Sequence, residues 1–552
     1  MSTLVGGAAP TTPIKRNFQL VEVLQSNAVL GETRRFKQIE RYQAFYDTTQ
    51  YNHLKLDWWG MNADNLETVS PEILVPNGFT QPAMSMSVRG KRPTAPYHLC
   101  KAVVDRFTGL LFGETRKPKL TVEGDPDTEQ FLLAAMEQMR FTAKMREART
   151  IGGSCGSVLV TAHVREGKFS LEVHNPKHLQ IMWKDRRTFT PAAVLKSYRY
   201  PVEVDHYDKQ GNVDGTEIVD FLYRRIITSE HDIVYKPVQL TDDASFEWEV
   251  EDQVEHNLGF FPGVWIQNLP VTESEDGHPD CHGSWQNFDT MDRIISQINQ
   301  AILANLDPTL VLGVDPKVMA SQGGSVRTGS AGALNVGPGG TANFLEITGS
   351  GVKAGQEFFD RLKQNTLDVV RCVMVDPQTI SGAAQSAKAI EYIYAPMLEK
   401  SDDLRAQYGD LGMIPLLLIV EKMARHLLGQ EFPLEPDAAT GAPRVLKNAF
   451  KLPPRKLPDG TMGQQTLGPG GYLALQWGPY FQPTVDDDQK VIGNIVAAKA
   501  GGLIDQETAV KSAAPVFDVR DVAGMEARIA EQQKAEMDSM TGGGFGGMDA
   551  PL

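Results

Sequence analysis

The chain has 552 residues, 41% of them hydrophobic, and a formal net charge of -15. That length and apolar content suffice for several subdomains, and the acidic balance excludes the usual basic nucleic-acid grip, in which clustered Lys and Arg hold phosphates. The four cysteines, Cys100, Cys155, Cys281 and Cys372, lack paired spacing, which argues against a disulfide framework and for a reducing compartment. Residues 1–19 show no apolar signal-peptide core. The longest apolar run, Met413 to Val420, contains Pro415 and is too short to span a bilayer, so a soluble intracellular protein is expected.

In chain order, Leu20 to Tyr46 reads as a charged helix. Tyr97 to Leu111 reads as a helix with one apolar face formed by Leu99, Val103, Val104, Phe107, Leu110 and Leu111, ended by Gly113. Gly124 to Asp127 is a turn, and Thr128 to Arg149 a second long helix. After Gly152, Gly153 and Gly156 the period changes to that of a strand. Ser157 to Val164 and Phe169 to Val173 form a hairpin about Glu166-Gly167. Further strands are expected at Val194 to Tyr200, Ile218 to Thr228, Ile233 to Leu240 and Phe246 to Val250, making the first half α+β, helices leading into an antiparallel sheet.

Gln286 to Leu306 is a clean amphipathic helix. Phe288, Met291, Ile294, Ile295, Ile298, Ala301, Ile302 and Leu306 form its stripe, and Asp289, Asp292, Arg293, Ser296, Gln297 and Gln300 its polar face, read by default as solvated. Asp307-Pro308 ends it. A glycine-rich insert, Thr309 to Gly351, separates it from a helix at about 355–375, and the two helices are expected to pair as an antiparallel hairpin. A small, polar stretch, Asp376 to Lys388, follows, with no bulky side chain after Ile380. Next comes a long helix to about Tyr408, bent or broken near Pro396, then a helical run from Leu411 to Leu428 interrupted at Pro415. Pro433 to Gly471 is irregular. Thr484 with Asp487 opens a helix that Gly501-Gly502 stops, Asp505 caps a short helix, and Asp518 a longer one. Gly542 to Leu552 is a glycine-rich tail.

No constellation commits to catalysis. Gly152-Gly-Ser-Cys-Gly156 matches the G-x-S-x-G pattern, but that motif requires a strand before the serine and a helix after it, and here the order is reversed. His278-Pro-Asp-Cys-His282 gathers metal-capable side chains without a second ligand pair at diagnostic spacing, although His256 is a possible contributor. His174 and His178 stand at i, i+4 but flank Pro176. Gly90-Lys91 and Gly167-Lys168 lack the remainder of a phosphate loop, and no G-x-G-x-x-G follows a strand. The reading is therefore no catalytic residue, no metal and no cofactor.

The order of parts resembles the portal proteins of tailed bacteriophages. Four stretches carry the likeness: GGSCGSVLVTAHVREGKFSLEVHNPKHLQIMW at 152–183, helix 286–306, helix 355–375 with ISGAAQSAKAIEYIYAPMLEK at 380–400, and WGPYFQPTVDDDQKVIGNIVAAKAGGLIDQETAVKSAAPVFD at 477–518. The resemblance implies an α+β ring subunit with an α/β wing (1–285), a two-helix stem (286–306 and 355–375), a small clip (307–354), a tunnel loop (376–386), a long wing helix (387–429), a helical crown (430–540) and a flexible tail (541–552). It implies a homo-oligomeric ring, usually a dodecamer, at one capsid vertex of the virion, assembled in the host bacterial cytoplasm without a membrane. Double-stranded DNA would pass through the channel during packaging and ejection, without sequence specificity. The implied partners are the terminase large subunit, head-completion adaptor proteins, and major capsid and scaffold proteins. The channel lining would include Gln378, Thr379, Ser381, Gly382, Ala384, Gln385, Ser386 and Lys388. A serine hydrolase using Ser154 and a helical scaffold or adaptor protein remain the alternatives.

Overall fold

The computed structural model describes residues 34–51, 72–74, 80–82, 93–165, 167–207, 213–240, 248–306, 309–313, 341–345, 349–374, 387–428 and shorter segments between 431 and 535. The chain divides into two units. The first comprises Met1–Gly113 and Ala135–Lys451, the second Glu114–Ala134 and Leu452–Leu552. The stretch 114–134, read from the sequence within the wing, thus packs with C-terminal residues.

The described elements are as follows. Helix α1 is Arg34–Asp47, strands β1 and β2 are Glu72–Leu74 and Thr80–Pro82, and α2 is Leu99–Phe112. Strand β3 is Lys119–Glu123, followed by α3, Pro126–Gln138, and α4, Phe141–Cys155. Strands β4 to β11 are Ser157–Arg165, Lys168–His174, Leu179–Asp185, Thr190–Tyr207, Val213–Thr228, His231–Gln239, Val250–Glu255 and Gly263–Gln267. Helix α5 is Trp285–Leu306, β12 is Thr309–Gly313, β13 is Thr341–Leu345, and α6 is Gly349–Val369. Helix α7, Ala387–Arg405, runs into a π-helical stretch, Ala406–Met413, and then α8, Ile414–Leu427. Strands β14 to β18 are Glu431–Leu434, Arg444–Lys447, Arg455–Lys456, Met462–Gly463 and Tyr472–Gln476, and α9 and α10 are Val485–Ala500 and Gln506–Ala513.

The first unit joins helices to two antiparallel sheets, one in the order β10-β9-β8-β7-β6 and one in the order β11-β4-β5. Leu159, Leu179, Val194, Ile227, Phe261 and Trp265, drawn from both sheets, pack into one cluster. Strand β4 is buried from Ser157 to His163, covered on both faces, with Thr161 and His163 as polar residues within it. The helix expected over 128–149 is two helices. Arg140 adopts a left-handed conformation (φ 51°) between them, which a regular helix does not allow. The strand expected at Phe246 to Val250 starts four residues later, at Val250–Glu255, and shares only Val250 with the expectation.

Helix α7 continues through Pro396. Pro415 sits in the first turn of α8, where its missing N–H costs nothing. The π-helical stretch buries Tyr408, Gly409, Gly412 and Met413. Gly412 lies so close to Ile266 that a Cβ there would meet Ile266 Cδ1 at 2.8 Å.

In the second unit β3 pairs with β18 from Lys119↔Gln476 to Glu123↔Tyr472. Asp125 caps α3 through the Thr128 N–H (3.0 Å) and hydroxyl (2.7 Å), and accepts from the Gly470 N–H (2.7 Å). Asp505 caps α10 as expected, accepting from Thr508 N at 3.0 Å. Among the described residues no helix is long and apolar enough to cross a membrane.

Candidate functional site

Helix α4 ends in the sequence Gly152-Gly-Ser-Cys-Gly156, and this end is the junction of the first unit. The helix runs through both first glycines. It closes at Gly156, left-handed at φ 98°, whose N–H reaches Gly152 O at 2.7 Å. A Cβ on Gly152 would strike the Tyr408 hydroxyl, and one on Gly153 the Arg149 guanidinium and the Asp280 carboxylate. The glycines thus seat a buried ion pair. Arg149 Nη2 lies 2.8 Å from Asp280 Oδ2, and neither side chain has any exposure.

The second Asp280 oxygen accepts from Asn268 Nδ2 at 3.1 Å, and Asn268 Oδ1 accepts from the Tyr408 hydroxyl at 3.0 Å. Lys400 Nζ donates to the main-chain oxygens of Asp280 (3.1 Å) and Val370 (3.0 Å) and lies over the Phe107 ring. Main-chain bonds from Asp280 N to Gly153 O and from Asn268 N to Gly156 O, both 2.9 Å, complete the junction. Burial opposes the Arg149 charge, but Asp280 outweighs it and raises the pKa. Burial lowers that of Lys400, against the pull of Asp280. Segments around 150, 270–280, 370 and 400–408 are thereby bound into one body.

From this junction α5 and α6 pack against each other, with β12 and β13 paired between their ends from Thr309↔Leu345 to Gly313↔Thr341. The pairing of helices expected from the sequence is present, and so is a two-stranded ribbon at the ends of the glycine-rich insert. Helix α6 begins at Gly349, a turn and a half earlier than expected, and ends at Val369. Gly355 lets it approach α5: a Cβ there would touch Ile298 at 3.2 Å.

The polar face of α5 is not simply solvated. Asp292 is 2% exposed and Ser296 fully buried. Asp292 accepts from the Tyr51 hydroxyl (2.9 Å), Tyr97 N (2.6 Å) and Gln50 Nε2 (3.4 Å). Ser296 Oγ accepts from Ala95 N at 3.2 Å. Burial raises the Asp292 pKa to about 6, against these three donors. Two segments from the N-terminal hundred residues thus strap onto α5. Periodicity misses this because an aspartate on a helix face scores as solvated whatever covers it.

Of the residues proposed to line a channel, Gln378, Thr379, Ser381, Gly382, Ala384, Gln385 and Ser386 lie outside the described residues. Lys388 falls in the first turn of α7. Ser154 is 4% exposed, and its hydroxyl donates to Ile151 O at 3.0 Å from within the last turn of a helix, so it has neither the turn nor the exposure of a nucleophile elbow. The turn expected at Gly152-Gly153 is helix because the glycines are needed for close packing, not for bending. In the 278–282 segment Asp280 is committed to Arg149 and Cys281 is buried, while the His278 and His282 rings stack with centroids 3.6 Å apart. His178 lies in a 3-10 turn against Tyr198, apart from His174. All four cysteines are free and buried, and burial pushes the Cys155 thiol up to about 12.

A further polar cluster lies on the β4–β5 hairpin. Thr161 and His163 share one face of β4, and Glu172, opposite Thr161, shares the same face of β5 with His174. Thr161 Oγ1 is 2.7 Å from Nε2 of both histidines. Glu172 binds Arg225 (2.6 Å) and Lys196 (3.3 Å), which stand opposite one another on β7 and β8, and Arg225 also binds Asp232 (2.7 Å). Burial lowers the pKa of His163 to about 4 and of His174 to about 3, so both are neutral at pH 7. Glu172 is held well below the usual carboxylate range: although burial opposes its charge, Arg225 and Lys196 outweigh that burial. Strict period-two spacing, Thr-x-His and Glu-x-His about a recognised hairpin turn, was the available signal.

A buried junction that fixes a helix–ribbon–helix extension is structural architecture. Residues 33–413 match the phage portal protein family, SPP1 Gp6-like. The chain belongs to that family: it is a tailed-phage portal protein, a structural component of the phage capsid. No curated protein matches it.

Proposed function

We propose that the chain forms a closed ring, a dodecamer, at one capsid vertex, with DNA passing along the axis during packaging and ejection. The observation that carries this reading is the α5–ribbon–α6 arrangement inside the matched span, locked at one end by the Arg149–Asp280 junction. Two helices packed side by side with a two-stranded tip are suited to lining an axial passage when repeated about a closed symmetry axis. In this reading 286–306 and 355–375 form the stem, 307–354 the clip and 376–386 the tunnel loop. Residues Gln378, Thr379, Ser381, Gly382, Ala384, Gln385, Ser386 and Lys388 face the DNA. A net charge of -15 favours sliding over adhesion, since an acidic wall repels phosphates. Terminase, head-completion adaptors and capsid or scaffold protein dock on the ring.

Native mass spectrometry followed by negative-stain imaging tests the ring. Closed rings with a central hole wide enough for duplex DNA are expected; a form that stays monomeric even with its capsid partners present sinks the reading. Deleting Ile380 to Ser386 is expected to leave the ring intact and impair DNA packaging or retention. Normal packaging by that deletion removes the loop from the channel.

A further inference from the structure

We propose that His163, Glu172 and His174 form a binding site for a divalent first-row metal of zinc's class. One donor atom of each lies within 4.8 Å of the others. His163 Nε2 is 3.7 Å from Glu172 Oε2, and His174 Nδ1 is 3.9 Å from Glu172 Oε1. Metal–ligand bonds of about 2.0–2.2 Å hold donors about 3.3–3.6 Å apart around a tetrahedral ion. Donors that lie up to 4.8 Å apart must therefore close by at most about 1.5 Å to bind one ion.

The hydrogen bonds leave one required lone pair free and hold the other only through a hydroxyl that can rotate. His174 Nδ1 is buried and has no hydrogen-bond partner, the atom a metal would satisfy. Its other nitrogen, Nε2, is 2.7 Å from Thr161 Oγ1, so donation there fixes the tautomer with a bare Nδ1. His163 turns Nδ1 towards Asp232 Oδ2 at 3.7 Å, a carboxylate behind an imidazole, and its Nε2 ligates once the Thr161 hydroxyl, 2.7 Å away, rotates its proton aside.

The competing cation is Lys196. Its ammonium sits 3.3 Å from Glu172 Oε1, and its side chain keeps some exposure, so it can swing to water when a metal arrives. Arg225 stays bound to Asp232 through two bonds and to Glu172 Oε2 at 2.6 Å, so Oε1, once Lys196 swings away, is the oxygen that ligates. The metal would then rivet β4 to β5 beside the larger sheet. This inference does not depend on the ring.

The test uses the full-length chain stripped with a chelator and titrated with Co²⁺, then Zn²⁺. Saturable binding is expected, with a visible Co²⁺ d–d band of a nitrogen- and oxygen-ligated ion that Zn²⁺ displaces. His174→Asn is expected to weaken binding by about tenfold or more. Lys196→Met, which removes the competing ammonium and leaves the three ligands in place, is expected to tighten it. No saturable binding by the folded wild-type chain overturns the proposal, as does binding that His174→Asn leaves undiminished. Should His174→Asn fail to fold, the Lys196→Met comparison decides: unchanged or weaker binding overturns the site.

Discussion

Arg149 and Asp280 meet in full burial through one charged bond, each drawn from a different part of the chain. Arg225 instead spreads its guanidinium over two carboxylates, Asp232 on the adjoining strand and Glu172 on β5 of the other sheet, and Glu172 keeps Lys196 as a further partner. In the first cluster Arg149 has a single carboxylate partner, 131 residues away in sequence. In the second Arg225 has two, and the strand that carries Asp232 is also held to that of Arg225 by a main-chain ladder. The first should behave as a keystone and the second as a reinforced wall.

The keystone breaks most sharply at Asp280→Ala, which strands a buried guanidinium. A loss of about 3–5 kcal/mol is expected from urea denaturation. The double change Arg149→Met with Asp280→Leu should recover much of it, because a paired apolar replacement leaves no orphan charge. Equal losses for the single and the double variant would show that the pair itself carries little.

The wall shows itself in acid. The native pKa values of His163 and His174, about 4 and about 3, lie below the unfolded value of 6.5. The unfolded state therefore binds the extra protons, and stability is present above pH 6.5 and falls as pH drops towards 4. The slope is about 1.4 kcal/mol per pH unit for each histidine. His163→Asn should flatten that limb, and an unchanged limb would count against burial as its cause. Glu172→Gln is milder still, about 1–1.5 kcal/mol at pH 7, since Arg225 retains Asp232. A cost matching that of Asp280→Ala would erase the contrast between the two clusters.

What was legible in the sequence follows the same divide. The hairpin at 157–174 showed itself through β-branched residues around Glu166-Gly167, and α5 through its apolar stripe. These are local patterns, and local patterns survive in one dimension. The strands at 179–185 and 263–267 were missed, since short runs such as Leu179-Gln-Ile-Met-Trp183 carry no turn signal to bound them. Gly152 and Gly153 looked like a turn because their actual cause, Tyr408 and Asp280, lies more than 120 residues away. The junction was illegible for that reason, although its resemblance-bearing stretch at 152–183 pointed to the right family.

The smallest effect separates burial from bonding on α5. Asp292, with a native pKa raised to about 6 against 3.8 unfolded, binds its proton more readily in the native state. Its contribution therefore grows as pH falls through 6 towards 4, opposite in sign to that of the histidines. Asp292→Asn removes the titration but also trades an acceptor oxygen for a donor facing Tyr97 N or the Tyr51 hydroxyl. Relief of a buried charge and loss of a hydrogen bond oppose one another, leaving a net change on the order of 1 kcal/mol at pH 8. What survives the cancellation is the slope. The stability of wild type relative to Asp292→Asn should rise steadily between pH 7 and pH 4, with the histidine limb common to both proteins. Parallel pH profiles for the two would mean that Asp292 is ionised and fully satisfied by its three donors, and that the strap at Tyr51 and Tyr97 holds α5 by bonding alone.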